Sequence, residues 1–343
     1  MSPSGHDPIE VEVRPVSPFR LPRRNGSDRI VQGHGSGLRR LLVKHGAPVV
    51  VSVRPSGSGS YRFLSVVVPP ERVSGPGSAD LREAGPEQLS AAIEDLRFSL
   101  GIDDDMSAFH GAFIEDPLLG PAIRQRIESR SSRRADPWEA LAWAVTEQLI
   151  EYRRAAAIQR QMIRRWGLSV EVQRPSGRQE RNGAGGRQAG GGLLRTAPAP
   201  GALAAASPAE LQACDLSARR ALALIRCAKE VSNGRTDLHD PGDDRRLLAI
   251  PEIGPWTVAC LALRGRGDPD ALLAGDLGHI KLVGALAGLG RPAEIEEVEA
   301  FYAPYAPFRG LAGDFLLAAR GRAVSGPGNR ARIRSLASPS RAA

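Results

Sequence analysis

The stretch that most limits how this chain can fold is "RRLLAIPEIGPWTVACLALRG", residues 245–265. A helix must end near Ile250, because Pro251 has no backbone N–H and restricts the residue before it. Pro251, Glu252, Ile253 and Gly254 then form a bend, and Pro255 suits the first turn of a second helix. Ile250 and Ile253 are spaced to be buried between two helices that cross steeply. The bend turns the N–H groups around Gly254 and Trp256 outward at a helix N-terminus, a setting that accepts a phosphate oxygen without reading sequence. An ordinary hairpin within an all-helical core fits the bend equally well.

Twenty residues after Trp256, "AGDLGHIKLVGAL" sets Asp276 at the N-cap of another helix, where the dipole and the backbone N–H groups favour a charged carboxylate. Most aspartates at helix starts are caps and nothing more. Beside a docked phosphate, a fixed carboxylate is also equipped for chemistry on a nucleotide sugar.

The flanking sequence divides into four regions. Residues 1–8 have no periodicity and are expected to be disordered. Residues 9–100 predict a small α+β domain. Its strand-like runs are "IEVEVRPV", "LRRLLVKHG", "APVVVSVRP" and "YRFLSVVVP", with "PSGSGS" as a hairpin loop, followed by a helix with Leu89, Ile93, Leu96 and Leu100 on one face. Residues 101–320 read as helical throughout. A long helix is expected from its N-cap Asp136 to Gly167, Ser207 and Glu210 form a capping box, and Ser217 starts a helix closed by Gly234. Within that region, residues 171–200 are rich in Gly and Arg and read as a flexible insertion. Residues 321–343 read as a disordered basic tail. The fold class is therefore α+β overall, an N-terminal antiparallel sheet domain followed by an all-α core.

The formal charge of +8 lies in two places: residues 321–343 hold five Arg and no acid, and residues 171–200 hold five Arg and two Glu. Flexible arginines attract any polyanion, and solubilising tails account for them equally well. Three scattered cysteines exclude a disulfide framework, and six histidines make no pair at metal-ligand spacing. Neither a secretion signal nor an apolar run of membrane-spanning length is present, so a reducing cytoplasm is expected. There is no G-x-S-x-G nucleophile elbow and no phosphate loop.

The bend, the Gly/Pro-rich loop and Asp276 resemble the helix–hairpin–helix DNA glycosylase superfamily, most of all its alkylation-repair branch, the DNA-3-methyladenine glycosylase II type. The likeness spans roughly residues 95–320. It is carried by "LGIDDDMSAF", "DPWEALAWAVTEQLI", "ALAAASPAELQACDLSARRALALIRCAKEV", "GDPDALLAGDLG" and "YAPFRGLAGDFLL". It implies a helical core of two subdomains and removal of an alkylated purine flipped out of duplex DNA, in base excision repair. It assigns Asp276 to the sugar and Ile253, Gly254, Pro255 and Thr257 to the DNA backbone. Gln148 and Leu149 correspond to the wedge that fills the vacated stack, although Leu149 also fits a core stripe with Leu141 and Val145.

The resemblance places Trp256, Cys260, Trp143, Tyr305, Phe308 and Leu317 around the base, with Trp256 nearly as well suited to a core and Trp143 better suited to one. It requires no cofactor or catalytic metal, implies a monovalent cation at the hairpin carbonyls, and suggests a nucleoid-associated monomer. Relatives that cut the strand use a Lys where this chain has Trp256, and the four-Cys cluster of other branches is absent, so base removal without strand cleavage is expected. Glu252 replaces the usual hairpin glycine, and Tyr305 and Phe308 replace commoner tryptophans. A catalytically weak damage-binding scaffold of the same fold, or a glycosylase for another damaged base, stays open on these departures.

Overall fold

The computed structural model describes residues 6–22, 27–172 and 192–319. The expectations for residues 1–5, for the middle of the 171–200 segment and for the tail 321–343 fall outside the described residues.

Eight strands are described: β1 (Ile9–Val13), β2 (Gln32–His34), β3 (Gly37–Lys44), β4 (Ala47–Pro55), β5 (Tyr61–Val67), β6 (Val73–Ser74), β7 (Ser169–Val172) and β8 (Gly192–Arg195). The helices begin with α1 (Pro86–Leu100), α2 (Ser107–Phe113), α3 (Gly120–Gln125), α4 (Pro137–Glu147), α5 (Tyr152–Trp166), α6 (Pro200–Ala204) and α7 (Pro208–Gln212). They continue with α8 (Ala218–Ser232), α9 (Asp244–Leu248), α10 (Pro255–Cys260), α11 (Leu277–Leu286), α12 (Ile295–Tyr302) and α13 (Arg309–Ala319). No described helix is long and apolar enough to cross a membrane.

The chain forms two compact units. One comprises residues 1–14, 21–96 and 152–221; the other comprises 15–20, 97–151 and 222–343. A single cut at residue 100 therefore does not separate them, because the chain returns to the first unit at Tyr152 and leaves it again after Ala221.

The first unit holds an antiparallel sheet in the order β1-β5-β4-β3-β2. Alternation explains β4: Val49, Val51 and Val53 are buried, while the residues between them are half-exposed. His45 and Gly46, with φ of 49° and 78°, make the two-residue turn into β4, the left-handed pair that matches strand twist. The "PSGSGS" run is the β4–β5 hairpin loop, closed by Ser56 N–H to Ser60 O at 2.9 Å. A second sheet, β6-β7-β8, was not anticipated. Its β7 and β8 take the two ends of the expected flexible insertion and pair them, Ser169 opposite Arg195. Val170 and Leu194 are buried there beside Leu41 and Leu168, so apolar burial orders residues that composition alone reads as linker.

The second unit is helical. Its main core gathers Phe109 and Ile123 with Leu282, Val283, Phe301, Tyr302, Phe315 and Leu316. Caps fall where the side chains predict them. Asp136 accepts from Trp138 N–H at 2.8 Å, and in the first unit the Ser207–Glu210 capping box is present. The long helix expected over 136–167 is broken in two, ending at Glu147 and restarting at Tyr152.

Candidate active site

A cleft of about 280 Å³ opens where three pieces of the second unit meet: the residues after α4, the bend between α9 and α10, and the N-terminus of α11. Gln148, Leu149, Gly254, Trp256, Thr257 and Asp276 all line it, joined by Glu147, Ile150, Glu252, Gly275 and Leu277. Six of the thirteen predicted site residues, scattered over 129 positions of sequence, thus share one surface.

The bend forms as its prolines require. Ile253 N–H closes onto Ile250 O at 3.0 Å, and Thr257 and Val258 N–H reach back to Gly254 O at 3.0 and 3.3 Å. The N–H groups ahead of these, on Gly254 and Trp256, are those that a first helical turn leaves over. Ile250 and Ile253 are buried as expected. Glu252 carries a φ of 74°, a left-handed conformation that costs a side-chain-bearing residue about 1–2 kcal/mol. Beyond α10 the helix widens into a π turn over Leu261–Arg266. Arg266 from that turn grips Asp244 and donates to Leu238 O at 2.8 Å, which pins α9 on the other side of the bend.

The break after α4 is tertiary in origin. No Gly or Pro interrupts "TEQLIE", yet Gln148 turns out of the helix at φ −53°, ψ 121° and Leu149 takes φ 54°. The Gln148 amide donates both to Glu252 O at 2.8 Å and to the buried Thr257 Oγ1 at 2.9 Å. These bonds tie the loop to the bend and throw Leu149 outward, 86% exposed, while Leu141 and Val145 stay in the core. Leu149 does not continue the core stripe.

Asp276 is half-buried and caps α11, its Oδ1 accepting from Gly278 N–H at 2.6 Å. Its second oxygen has no hydrogen-bond partner among the described residues. A Cβ at position 278 would lie 2.7 Å from that carboxylate and 3.2 Å from Leu317, so glycine is what lets the cap and Leu317 share this turn. Behind Asp276, His279 is buried with Nδ1 3.1 Å from Tyr302 Oη. Burial lowers its pKa to about 4, although the Asp276 charge opposes that shift, so the ring is neutral near pH 7.

Beneath the cleft, Arg264 donates to Glu147 at 2.9 Å. Burial opposes the guanidinium charge, but Glu147 more than offsets it and holds Arg264 above its ordinary pKa. Asp314 accepts from Ser131, and burial raises its pKa despite that bond. Neither ion pair nor carboxyl was legible in sequence, since Glu147 and Arg264 are 117 residues apart.

Several predicted pocket residues lie elsewhere. Trp143 and Cys260 are fully buried, and desolvation pushes the Cys260 thiol up to about 12. They are packing: Cys260 sits in a core cluster with Ala144, Leu263 and Leu273, against which Trp256 also packs. Tyr305 is buried against Phe113 and Tyr302. Phe308 stacks edge-on with Phe109 and lines a separate cavity of about 200 Å³ beside Ser131 and Leu311. Leu317 packs beside Gly278, behind the Asp276 cap, and does not line the cleft. Trp256 alone of the predicted aromatics faces the cleft, and its buried indole N–H has no acceptor among the described residues. The described residues contain no group of His, Cys, Asp and Glu able to hold a metal.

A helix mouth, an outward apolar side chain and a capping carboxylate thus surround one cleft in a helix–hairpin–helix arrangement. No family model matches the chain. The chain is 30% identical over 233 residues to a Mycobacterium tuberculosis protein described as "Probable bifunctional transcriptional activator/DNA repair enzyme AlkA", covering 66% of this chain but only 42% of that protein. It is 22% identical to a Bacillus subtilis DNA-3-methyladenine glycosylase over 63% of this chain and 67% of the relative. The solved 3-methyladenine DNA-glycosylase of Archaeoglobus fulgidus superposes with a TM-score of 0.70 at 18% identity, over 91% of this chain and 99% of that one. The chain thus has the α+β fold of the helix–hairpin–helix DNA glycosylases, and it spans less than half the length of the Mycobacterium tuberculosis protein it matches.

Proposed function

We propose that the protein is a monofunctional DNA glycosylase that hydrolyses the N-glycosidic bond of alkylated purines, of the 3-methyladenine type, flipped out of duplex DNA. The observation that carries this is the shared cleft: Asp276 and the N–H groups of the α9–α10 bend open onto one concavity. A backbone phosphate docked at Gly254 and Trp256 sets the sugar of an extruded nucleotide against the Asp276 carboxylate.

Positive charge develops on that sugar as the base departs, and an ionised carboxylate near the anomeric carbon stabilises it while orienting the attacking water. An alkylated purine leaves as a neutral base from a cationic precursor, so no second acid is required. The Trp256 ring supplies an electron-rich face for such a cation. Leu149 takes the vacated place in the stack, which its exposure and fixed backbone favour. None of the three lysines lines the cleft, which supports base removal without strand cleavage. No cofactor is needed. A monovalent cation on the Glu252 carbonyl would meet the Gln148 amide hydrogens already bonded there, and no step above uses one. The partner is damaged duplex DNA, met by a monomer at the bacterial nucleoid.

The test is release of free 3-methyladenine and 7-methylguanine from methylated duplex by wild type and by Asp276→Asn. Release that disappears in the variant supports the proposal. Background-level release from both removes the glycosylase activity and leaves a damage-binding scaffold. Strand breakage without added alkali would refute the monofunctional part.

A further inference from the structure

On the other side of the same bend lies a larger concavity of about 680 Å³ that the chemistry above does not use. Its wall on α8 carries Arg226, Lys229 and Glu230, whose spacing puts them on one helix face. Arg245 and Arg246 of α9 face them, Arg235 closes one end, and Ala249, Ile250 and Pro251 lead directly into the phosphate-holding turn. The lining thus gathers five cations and one carboxylate.

That carboxylate does not neutralise the group. Glu230 is divided between Arg246 at 3.1 Å and Arg235 at 3.4 Å. Arg226, Lys229 and Arg245 are exposed and have no ion-pair partner among the described residues. The acids of the α8–α9 loop are turned elsewhere. Asp240 accepts from Gly242 N–H, Asp243 from Asp237 N–H, and Asp244 is held by Arg266. The loop therefore keeps its negative charge off the concavity although four aspartates lie between Asp237 and Asp244. Long cationic side chains with no fixed partner, set beside a row of free N–H groups, suit a polyanion whose phosphates continue past the bend.

We propose that this concavity is a second phosphate-binding surface, on which Arg226, Lys229 and Arg245 neutralise the DNA backbone next to the phosphate held at Gly254. The assignment rests on the proposed DNA-directed function but not on its chemistry. Because it reads backbone charge only, it acts on damaged and undamaged duplex alike.

The experiment uses the full chain with Arg226→Gln, Lys229→Gln and Arg245→Gln combined. Its binding to a duplex containing a stable abasic-site analogue, and to the same duplex undamaged, is followed from about 50 to 200 mM salt. Each neutralised phosphate contributes about 0.9 to the slope of log affinity against log salt. The triple variant should lose about 2.7 of that slope on both duplexes and bind at least tenfold more weakly at low salt. The rate of base release at saturating DNA should be unchanged. Arg226→Lys with Arg245→Lys should restore the slope, which separates charge from shape. An unchanged slope in the triple variant overturns the inference and leaves the glycosylase proposal standing. A reduced slope with no base release by wild type does the reverse. A wild type that binds no duplex overturns both.

Discussion

Glu252 makes the most informative single perturbation, because two independent effects meet at one residue. Its φ of 74° places a side chain where glycine is favoured, at a cost of about 1–2 kcal/mol. Glycine recovers that strain but gives back about 0.5–1 kcal/mol through the freer unfolded chain. Glu252→Gly should therefore stabilise the fold by about 0.5–1 kcal/mol, read as a shift in urea midpoint at constant slope. The Gln148 amide bonds the backbone oxygen of residue 252 and not its side chain, so the loop that carries Leu149 keeps this anchor. The second effect is electrostatic. A carboxylate beside a docked phosphate repels it by about 1 kcal/mol at about 4 Å in water and less farther away, so its removal should tighten duplex binding by up to about fivefold at low salt and less as salt rises. Anisotropy titrations at two salt concentrations measure this. A variant that is less stable and binds no tighter would mean that the Glu252 side chain holds the bend together, and the hairpin would then not be the phosphate site.

The remaining predictions are more local. Leu149→Ala should change stability by less than about 0.5 kcal/mol, given its exposure, yet slow base release from paired duplex about tenfold and from a mismatched site less; equal loss on both substrates would argue against a wedge. The pKa of His279 falls from 6.5 unfolded to about 4 folded. Its neutral form thus contributes stability that is fully present above pH 6.5 and lost as pH falls toward 4, about 3 kcal/mol by linkage. His279→Gln should lose less stability than wild type between pH 7 and 4, and parallel acid-unfolding curves would refute the assignment. Arg264→Met leaves Glu147 without its cation in a mostly buried place and should cost about 3 kcal/mol in thermal or urea unfolding; restoration by adding Glu147→Gln would confirm the pair as the cause.

Much of the site was legible along the chain because its signals are local. Prolines at 251 and 255 and the glycine between them dictate the bend, Asp276 announces its own helix, and alternating valines specify β4. These depend on φ restriction, a missing N–H and side-chain period, which act within a few residues. What the chain alone left ambiguous was where side chains meet. Leu149 has the spacing of a core residue and is turned to solvent by two hydrogen bonds from its neighbour to residues more than a hundred positions away. Trp143, Cys260 and Tyr305 fall in segments the resemblance places near the base and are packing instead. The formal charge outside the insertion and tail is zero, yet folding gathers five cations in one concavity while the nearby aspartates turn to backbone and to Arg266. Local sequence thus determined the turns, caps and strand faces. Only the tertiary structure decided which carboxylate, which apolar side chain and which cations share a surface, because burial and long-range hydrogen bonding are set by the whole fold.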